Sequence, residues 1–374
     1  MRSTSFNRGP NRDMSSPIPP ILALFQKRID GDDALLQLAS LRFKEAGLGA
    51  EFYAETPDEL ERLLKFKPTP EAPATVHLPR WINLFDENSR ALVLDFSKNF
   101  KNRVSGLIVH DHSEIAFRFD HYLTVLHSLE SGLRKIGGSP YLFIEYAAGL
   151  EPDLFIELFR ASHSLERVSC CIDIGHLGLW QARRVYSGKH PGKDVCTLKP
   201  HDAGLQDVIR DVQEAVAAAP AEVLRVIREI GSLGKHMHYH LHDAHPLSTF
   251  SPFGVADHLS FLDKIMLPFE HMGERYLDLM FGPSGLSGIV AEALELPGPE
   301  HVSLALEIHP VEGRLPLGDK SYLFHHWRDK GNAERMNFWL SVLCKNYQLV
   351  SDACDNVKSL MKKRDKNETT EEPL

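Results

Sequence analysis

Along most of the chain, short runs of aliphatic, β-branched and aromatic residues alternate with longer segments in which apolar residues recur every three or four positions. The short runs have strand length and the longer ones helix periodicity, so the pattern predicts repeated βα units. Eight runs stand out: ILAL (21 to 24), GAEFYA (49 to 54), TVHL (75 to 78), GLIVH (106 to 110), YLFIEY (141 to 146), VSCCID (168 to 173), HMHYHLH (236 to 242) and VSLALEIH (302 to 309). Eight parallel strands close a (β/α)8 TIM barrel of the α/β class.

Helical segments lie between them, among them DDALLQLASLRFKEAG, TPDELERLLKF, HYLTVLHSLESGLRKIGG and PDLFIELFRASHS. Asp32, and Thr56 ahead of Pro57, are N-cap signals for two of them. Spacing is even except after the sixth run, where about 60 residues precede the seventh. Residues 177 to 235 are therefore expected to form a helical insertion or lid. The long connection from His245 to Val302 carries two helical patterns. Residues 1 to 18 and 364 to 374 are polar and rich in Ser, Pro or charge, and are expected to be disordered. The barrel should occupy residues 19 to 350.

Composition adds bounds. The 374 residues are 43% hydrophobic and 25% charged, which suits one large globular domain or two small ones. No run approaches the roughly 18 apolar residues of a membrane span, and the first residues lack a signal-peptide core, so a cytoplasmic location is expected. The five cysteines include no CxxC pair and read as buried core thiols. A net charge of -9 disfavours binding of nucleic acid through non-specific phosphate contacts.

The 20 histidines matter mainly by position. In such a barrel the chemistry sits at the C-terminal ends of the strands. Those ends carry His77, His110, Glu145, Asp173, His240 and Glu307, with His176 one turn after Asp173. One His at a strand end is ordinarily a hydrogen-bonded rim residue, but six metal-ligand types at one rim point to a shared divalent ion. Imidazole and carboxylate donors suit Zn, Mn, Fe or Co, and the number of ions is left open. On the seventh strand His236, His238, His240 and His242 share one face. The first two read as polar interior layers, whereas His240 and His242 lie near enough to the C-terminal end to reach a metal, His242 being also a candidate substrate contact. Arg80 and Trp81, on the loop after the third strand, are candidate substrate contacts.

The segments HLPRWINL (77 to 84), LIVHDH (107 to 112), FIEYAAG (143 to 149), CIDIGHLG (171 to 178), HLHDAH (240 to 245), GVADHLSF (254 to 261) and LALEIHP (304 to 310) resemble, in order, motifs of the xylose-isomerase-like barrel superfamily. That superfamily includes sugar and sugar-phosphate isomerases and epimerases as well as endonuclease IV. The resemblance implies that Glu145, Asp173, His240 and Glu307 bind metal. It places His77, His110, Asp257 and His258 where endonuclease IV holds additional zinc ions, although Asp257 and His258 are adjacent here and the Gly-rich opening of that enzyme is absent.

The first expectation is a metal-dependent isomerase or epimerase of a small polyhydroxy carbonyl compound, acting through an enediolate. Glu145 and Glu307 would be base and acid, and His176 a donor to the oxyanion. The alternative is an endonuclease IV-like metallohydrolase using two or three ions. The expected partners are a carbohydrate-like small molecule and a second copy of the chain, with no membrane.

Overall fold

A computed structural model describes residues 19–29, 31–198, 202–247, 257–262, 265–271, 274–308 and 333–370. The expectation of disorder at 1 to 18 lies outside the described residues. Eight parallel strands form a closed barrel: β1 (Ile21–Leu24), β2 (Gly49–Tyr53), β3 (Ala74–His77), β4 (Gly106–His110), β5 (Tyr141–Glu145), β6 (Val168–Asp173), β7 (Met237–Leu241) and, after a hairpin of β8 (Ile265–His271) and β9 (Glu274–Leu277), β10 (Val302–Leu306). All eight expected strands are present, and β10 pairs with β1 to close the ring. The connection from His245 to Val302 holds the hairpin and the helix Gly282–Glu295 among its described residues, in place of two helices.

Strand alternation divides the core in two. Ala50, Phe52, Val76, Leu107, Val109, Leu142 and Ile144 face the surrounding helices and join the main apolar core. Ile108, Phe143 and Cys171 form a separate small cluster inside the barrel. The inward positions one pleat farther along each strand belong to His77, His110, Glu145, Asp173 and His240, so register alone brings these side chains to one end of the barrel.

Local chemistry sets the helix ends. Asp32 accepts the Leu35 amide at 3.0 Å, opening the helix Asp33–Ala46, and Gly47 ends it in the left-handed region at φ 81. Thr56 caps Pro57–Leu63 through the Glu59 amide. The helix Pro152–Ala161 is finished by a side chain from afar: buried Lys235 donates to the carbonyls of Ser162, His163 and Leu165 at 3.2, 3.4 and 2.5 Å. Lys235→Ala should leave these carbonyls short of a donor and cost about 2–4 kcal/mol. Urea unfolding checks this, and a loss under about 0.5 kcal/mol would show that water replaces the ammonium group.

Residues 177 to 235 divide between two roles. The helix Ala219–Gly231 lies between Pro152–Ala161 and Gly282–Glu295, and pairs with them through Arg225–Asp153, Arg160–Glu229 and Arg228–Glu292. It is thus part of the outer helical ring. The helices Ile174–Lys189 and Leu205–Ala217 pack on each other ahead of it. The last helix, Ala333–Thr370, lies against Asp33–Ala46 and Gly282–Glu295, and its end runs through 364–370, within the segment expected to be a tail. Two expected core thiols, Cys196 and Cys344, are only half-buried, while Cys170, Cys171 and Cys354 are buried. No helix among the described residues is long and apolar enough to cross a membrane.

Candidate metal centre

Four strand ends supply a tetrad. Ligand atoms of Glu145, Asp173, His240 and Glu307 all lie within 4.8 Å of one another, although these residues are far apart in sequence. On one side, His77 and His110 form a second such group with Glu145. On the other, Asp173 belongs to a third group with His176, His242 and His258. Each of these buried groups could hold a metal ion.

The two oxygens of Glu145 serve different neighbours. Oε2 stands 2.9 Å from His77 Nε2 and 3.3 Å from His110 Nε2, whereas Oε1 is 3.3 Å from His240 Nδ1. Glu307 divides in the same way: Oε2 is 3.1 Å from His240 Nδ1 and Oε1 is 3.2 Å from His258 Nε2. Asp173 Oδ1 caps the helix Ile174–Lys189 through the His176 amide at 2.7 Å, and its Oδ2 is 3.5 Å from His176 Nδ1.

Hydrogen bonds on the far sides of the rings reveal what these contacts need. His77 Nδ1 donates to the Leu78 carbonyl at 2.8 Å, His258 Nδ1 to Asp257 Oδ1 at 2.7 Å, and His176 Nε2 lies 2.9 Å from Asp257 Oδ2. A neutral ring that donates there turns the lone pair of its other nitrogen toward Glu145, Glu307 or Asp173. Two acceptors in contact require a proton or a cation between them. Nitrogen and oxygen ligands at about 2.0–2.2 Å that subtend about 90–110° at one ion stand about 2.9–3.5 Å apart. Most of the separations above fall in that range, so the donor set fits divalent ions. His110 Nδ1, His176 Nδ1, both ring nitrogens of His240 and Glu51 Oε1 are buried without a hydrogen-bond partner among the described residues.

Protons can occupy the same places. Burial pushes the His77 imidazole toward the neutral form, but Glu145 outweighs this and the net shift is upward. Burial likewise opposes charge on His176, yet Asp173 and Asp257 hold its pKa up at about 9. Burial would raise Glu145 and Glu307, but the imidazoles around them keep both well below the usual carboxylate range. Burial wins at His110, which falls to about 4.

His242 plays a different part from its neighbours. Its Nδ1 lies 2.9 Å from the His258 amide, which can only donate, and 3.1 Å from the Asp243 carbonyl. The shorter contact favours a proton on Nε2, donated to Asp173 Oδ2 at 2.9 Å. His242 then orients a ligand carboxylate. It is confined from below by Gly175, where an added Cβ would stand 2.0 Å from its Cε1.

Asp257 and His258 reach the site together because His258 adopts φ 59, in the left-handed region that few residues other than Gly enter, although His is among those that do so more often. In an extended strand, adjacent side chains would point to opposite faces. The turn is tied down by paired Asp243–Leu259 backbone bonds at 2.8 and 2.9 Å, and by Asn346, whose Oδ1 accepts the Phe261 amide at 3.0 Å. Asp243 itself caps the helix Gly282–Glu295, accepting the Phe281 and Gly282 amides.

His110 and His176 side chains keep 16% and 21% of their surface exposed, against 0–1% for Glu145, Asp173 and His240, so solvent approaches from their side. Arg80 and Trp81 are exposed on the loop after β3. The Arg80 amide reaches the Tyr53 hydroxyl, and Tyr53 stacks on His77 with ring centroids 5.4 Å apart. No contact of the Arg80 or Trp81 side chain with the metal-capable donors is seen among the described residues.

Sequence reasoning missed Tyr53 and Glu51, both on the inward face of β2. It also missed a deeper, fully buried group of Cys171, His238 and His240 that could hold a metal ion. The signal for Glu51 was available: a lone acidic residue in mid-strand, two positions from Gly49 and Tyr53 and therefore on the same face.

A closed parallel barrel with buried His, Asp and Glu groups at the strand ends defines the class of the protein as a barrel with a metal-capable centre, an arrangement that suggests an enzyme. Comparison with family models and with curated proteins found no match.

Proposed function

We propose that the chain is a multinuclear metal-dependent hydrolase that cleaves a phosphoester with water. One observation carries the reading: Glu145 and Glu307 each divide their two oxygens between neighbouring donor groups, as carboxylates shared by adjacent ions do. A single-ion isomerase would need only the tetrad, leaving His77, His110, Asp257 and His258 without a common purpose. The resemblance to endonuclease IV, which covers the same positions, supports the same choice.

Glu145, His77 and His110 would hold one ion, the tetrad a second, and Asp173, His176 and His258 a third. Ions bound there would supply Lewis acidity toward a phosphoryl oxygen and activate water near neutral pH. The protein's part is positioning: Asp257 orients His176 and His258, and His242 orients Asp173. Glu307, with 11% of its side chain exposed, is the shared carboxylate that solvent can reach, and we assign it the proton of the attacking water. Arg80 and Trp81 remain candidate substrate contacts at the rim. The helices Ile174–Lys189 and Leu205–Ala217 are candidates to close it, because the first turn of the former delivers His176. The acidic chain favours a small phosphorylated substrate over duplex nucleic acid.

Glu307→Gln retains a coordinating oxygen and removes the proton acceptor. Turnover should fall by about 10²–10⁴-fold, and because Glu307 offers one oxygen to each of two donor groups the amide should also weaken one of the two ions it would share, which parallel kinetics and elemental analysis would check. The reaction class is tested with bis(4-nitrophenyl) phosphate in ¹⁸O-water, where the reading expects ¹⁸O in the phosphate product. The isomerase alternative would instead put solvent deuterium on the carbon next to the carbonyl of a sugar phosphate. That label, with no phosphodiester cleavage, would overturn the hydrolase reading.

A further inference from the structure

Directly beneath the tetrad, one layer farther into the barrel, lies a carboxylate that no solvent reaches. Glu51 on β2 is completely buried. Its Oε2 accepts the Thr75 hydroxyl at 2.6 Å and lies 2.9 Å from His238 Nε2. Its Oε1 is 3.0 Å from His240 Nε2, an ion-pair contact in which neither atom completes a well-directed hydrogen bond. His238 Nδ1 is in turn 2.7 Å from Ser303 Oγ. Ser303, His238, Glu51 and His240 thus form a buried polar chain that ends at the candidate metal centre.

We infer that Glu51 is a positioning residue that selects the ring orientation and tautomer of His240. A carboxylate oxygen 3.0 Å from an imidazole nitrogen favours an N–H on that nitrogen, because two lone pairs in contact repel. Placing the proton of His240 on Nε2 leaves Nδ1 as the lone pair, and Nδ1 is the nitrogen that faces Glu307 Oε2 at 3.1 Å, Glu145 Oε1 at 3.3 Å and Asp173 Oδ2 at 4.0 Å. A carboxylate behind a ligating histidine raises its basicity and fixes its aim.

The same geometry assigns His238. Its Nε2 is engaged by Glu51 and its Nδ1 by Ser303, so neither nitrogen is left for a metal ion, and the deeper Cys171, His238 and His240 group is a support for the site above it. Thr75 completes the arrangement by holding Glu51 Oε2 in place. The inference rests on the multinuclear reading of the centre, because it assumes that His240 ligates an ion.

The test uses full-length protein titrated with Zn²⁺. In the Zn²⁺-loaded wild type, ¹⁵N-detected histidine spectra should show His240 protonated at Nε2 and coordinated through Nδ1. Glu51→Gln keeps the volume but turns an amide toward one imidazole, so Zn²⁺ affinity at the site containing His240 should fall about 10–100-fold. Affinity at the His77 and His110 site should change far less, a split that general loosening of the fold would not produce. Glu51→Asp, which restores the charge, should recover part of the loss. His240 bound through Nε2 in the wild type, or a Glu51→Gln variant with unchanged Zn²⁺ affinity, would overturn this inference and leave the multinuclear reading intact. A wild type that takes up no Zn²⁺ would overturn both. If Glu51→Gln does not fold, the wild-type spectra decide alone.

Discussion

Asp173→Ala is expected to remove more than one ion and to reduce turnover by about 10³-fold or more. Asp173 is in both the tetrad and the group with His176 and His258, so its loss empties a position in two sites at once. Each tenfold in rate is about 1.4 kcal/mol of transition-state stabilisation, and a catalytic divalent ion is worth several. The change also strands His242, whose Nε2 loses its acceptor, and removes the cap of the helix Ile174–Lys189, so stability should fall by about 1–3 kcal/mol as well. Elemental analysis of folded variant protein, beside its kinetics, checks this. A variant that loses activity with a full complement of ions would mean that Asp173 acts in the chemistry and not as a ligand.

Metal removal should have the second large effect. Stripping the ions with a chelator should abolish phosphoester cleavage, and returning divalent metal should restore it. Binding to the folded chain alone adds about 4 kcal/mol of stability per ion at a thousandfold excess over Kd. The melting temperature should therefore rise by several degrees on reloading. Full activity in stripped protein, or a melting temperature indifferent to metal, would count against a resident metal centre.

How far the sequence reveals this architecture depends on the range of the interactions involved. The eight strands follow from local patterning, and β1, β4 and β6 match their expected bounds. Convergence of His77, His110, Glu145, Asp173, His240 and Glu307 was legible too, since period-two alternation and strand ends fix both the face and the layer of each. Asp257 and His258 were reachable only through resemblance. Their approach depends on the left-handed backbone of His258 and on Asn346, which no local pattern announces. Strand alternation marks Glu51 as an inward acid but not what it does there: its partners Thr75, His238 and His240 come from two other strands and meet it only when the barrel closes. The hairpin β8–β9 replaced an expected helix because an apolar run of that length fits either state. The helix Ala219–Gly231 was grouped with the insertion because sequence spacing cannot say which of three successive helices takes the outer-ring position.

The central claim is that several ions share Glu145, Asp173 and Glu307. It is tested most directly by anomalous scattering from crystals of metal-loaded protein, with peaks located at the absorption edge of the bound metal. The account predicts at least two peaks about 3.5–4 Å apart on either side of Glu145, with a third beside His176 and His258. A single peak within Glu145, Asp173, His240 and Glu307, with His77, His110 and His258 remaining on their carboxylates at saturating metal, would contradict it.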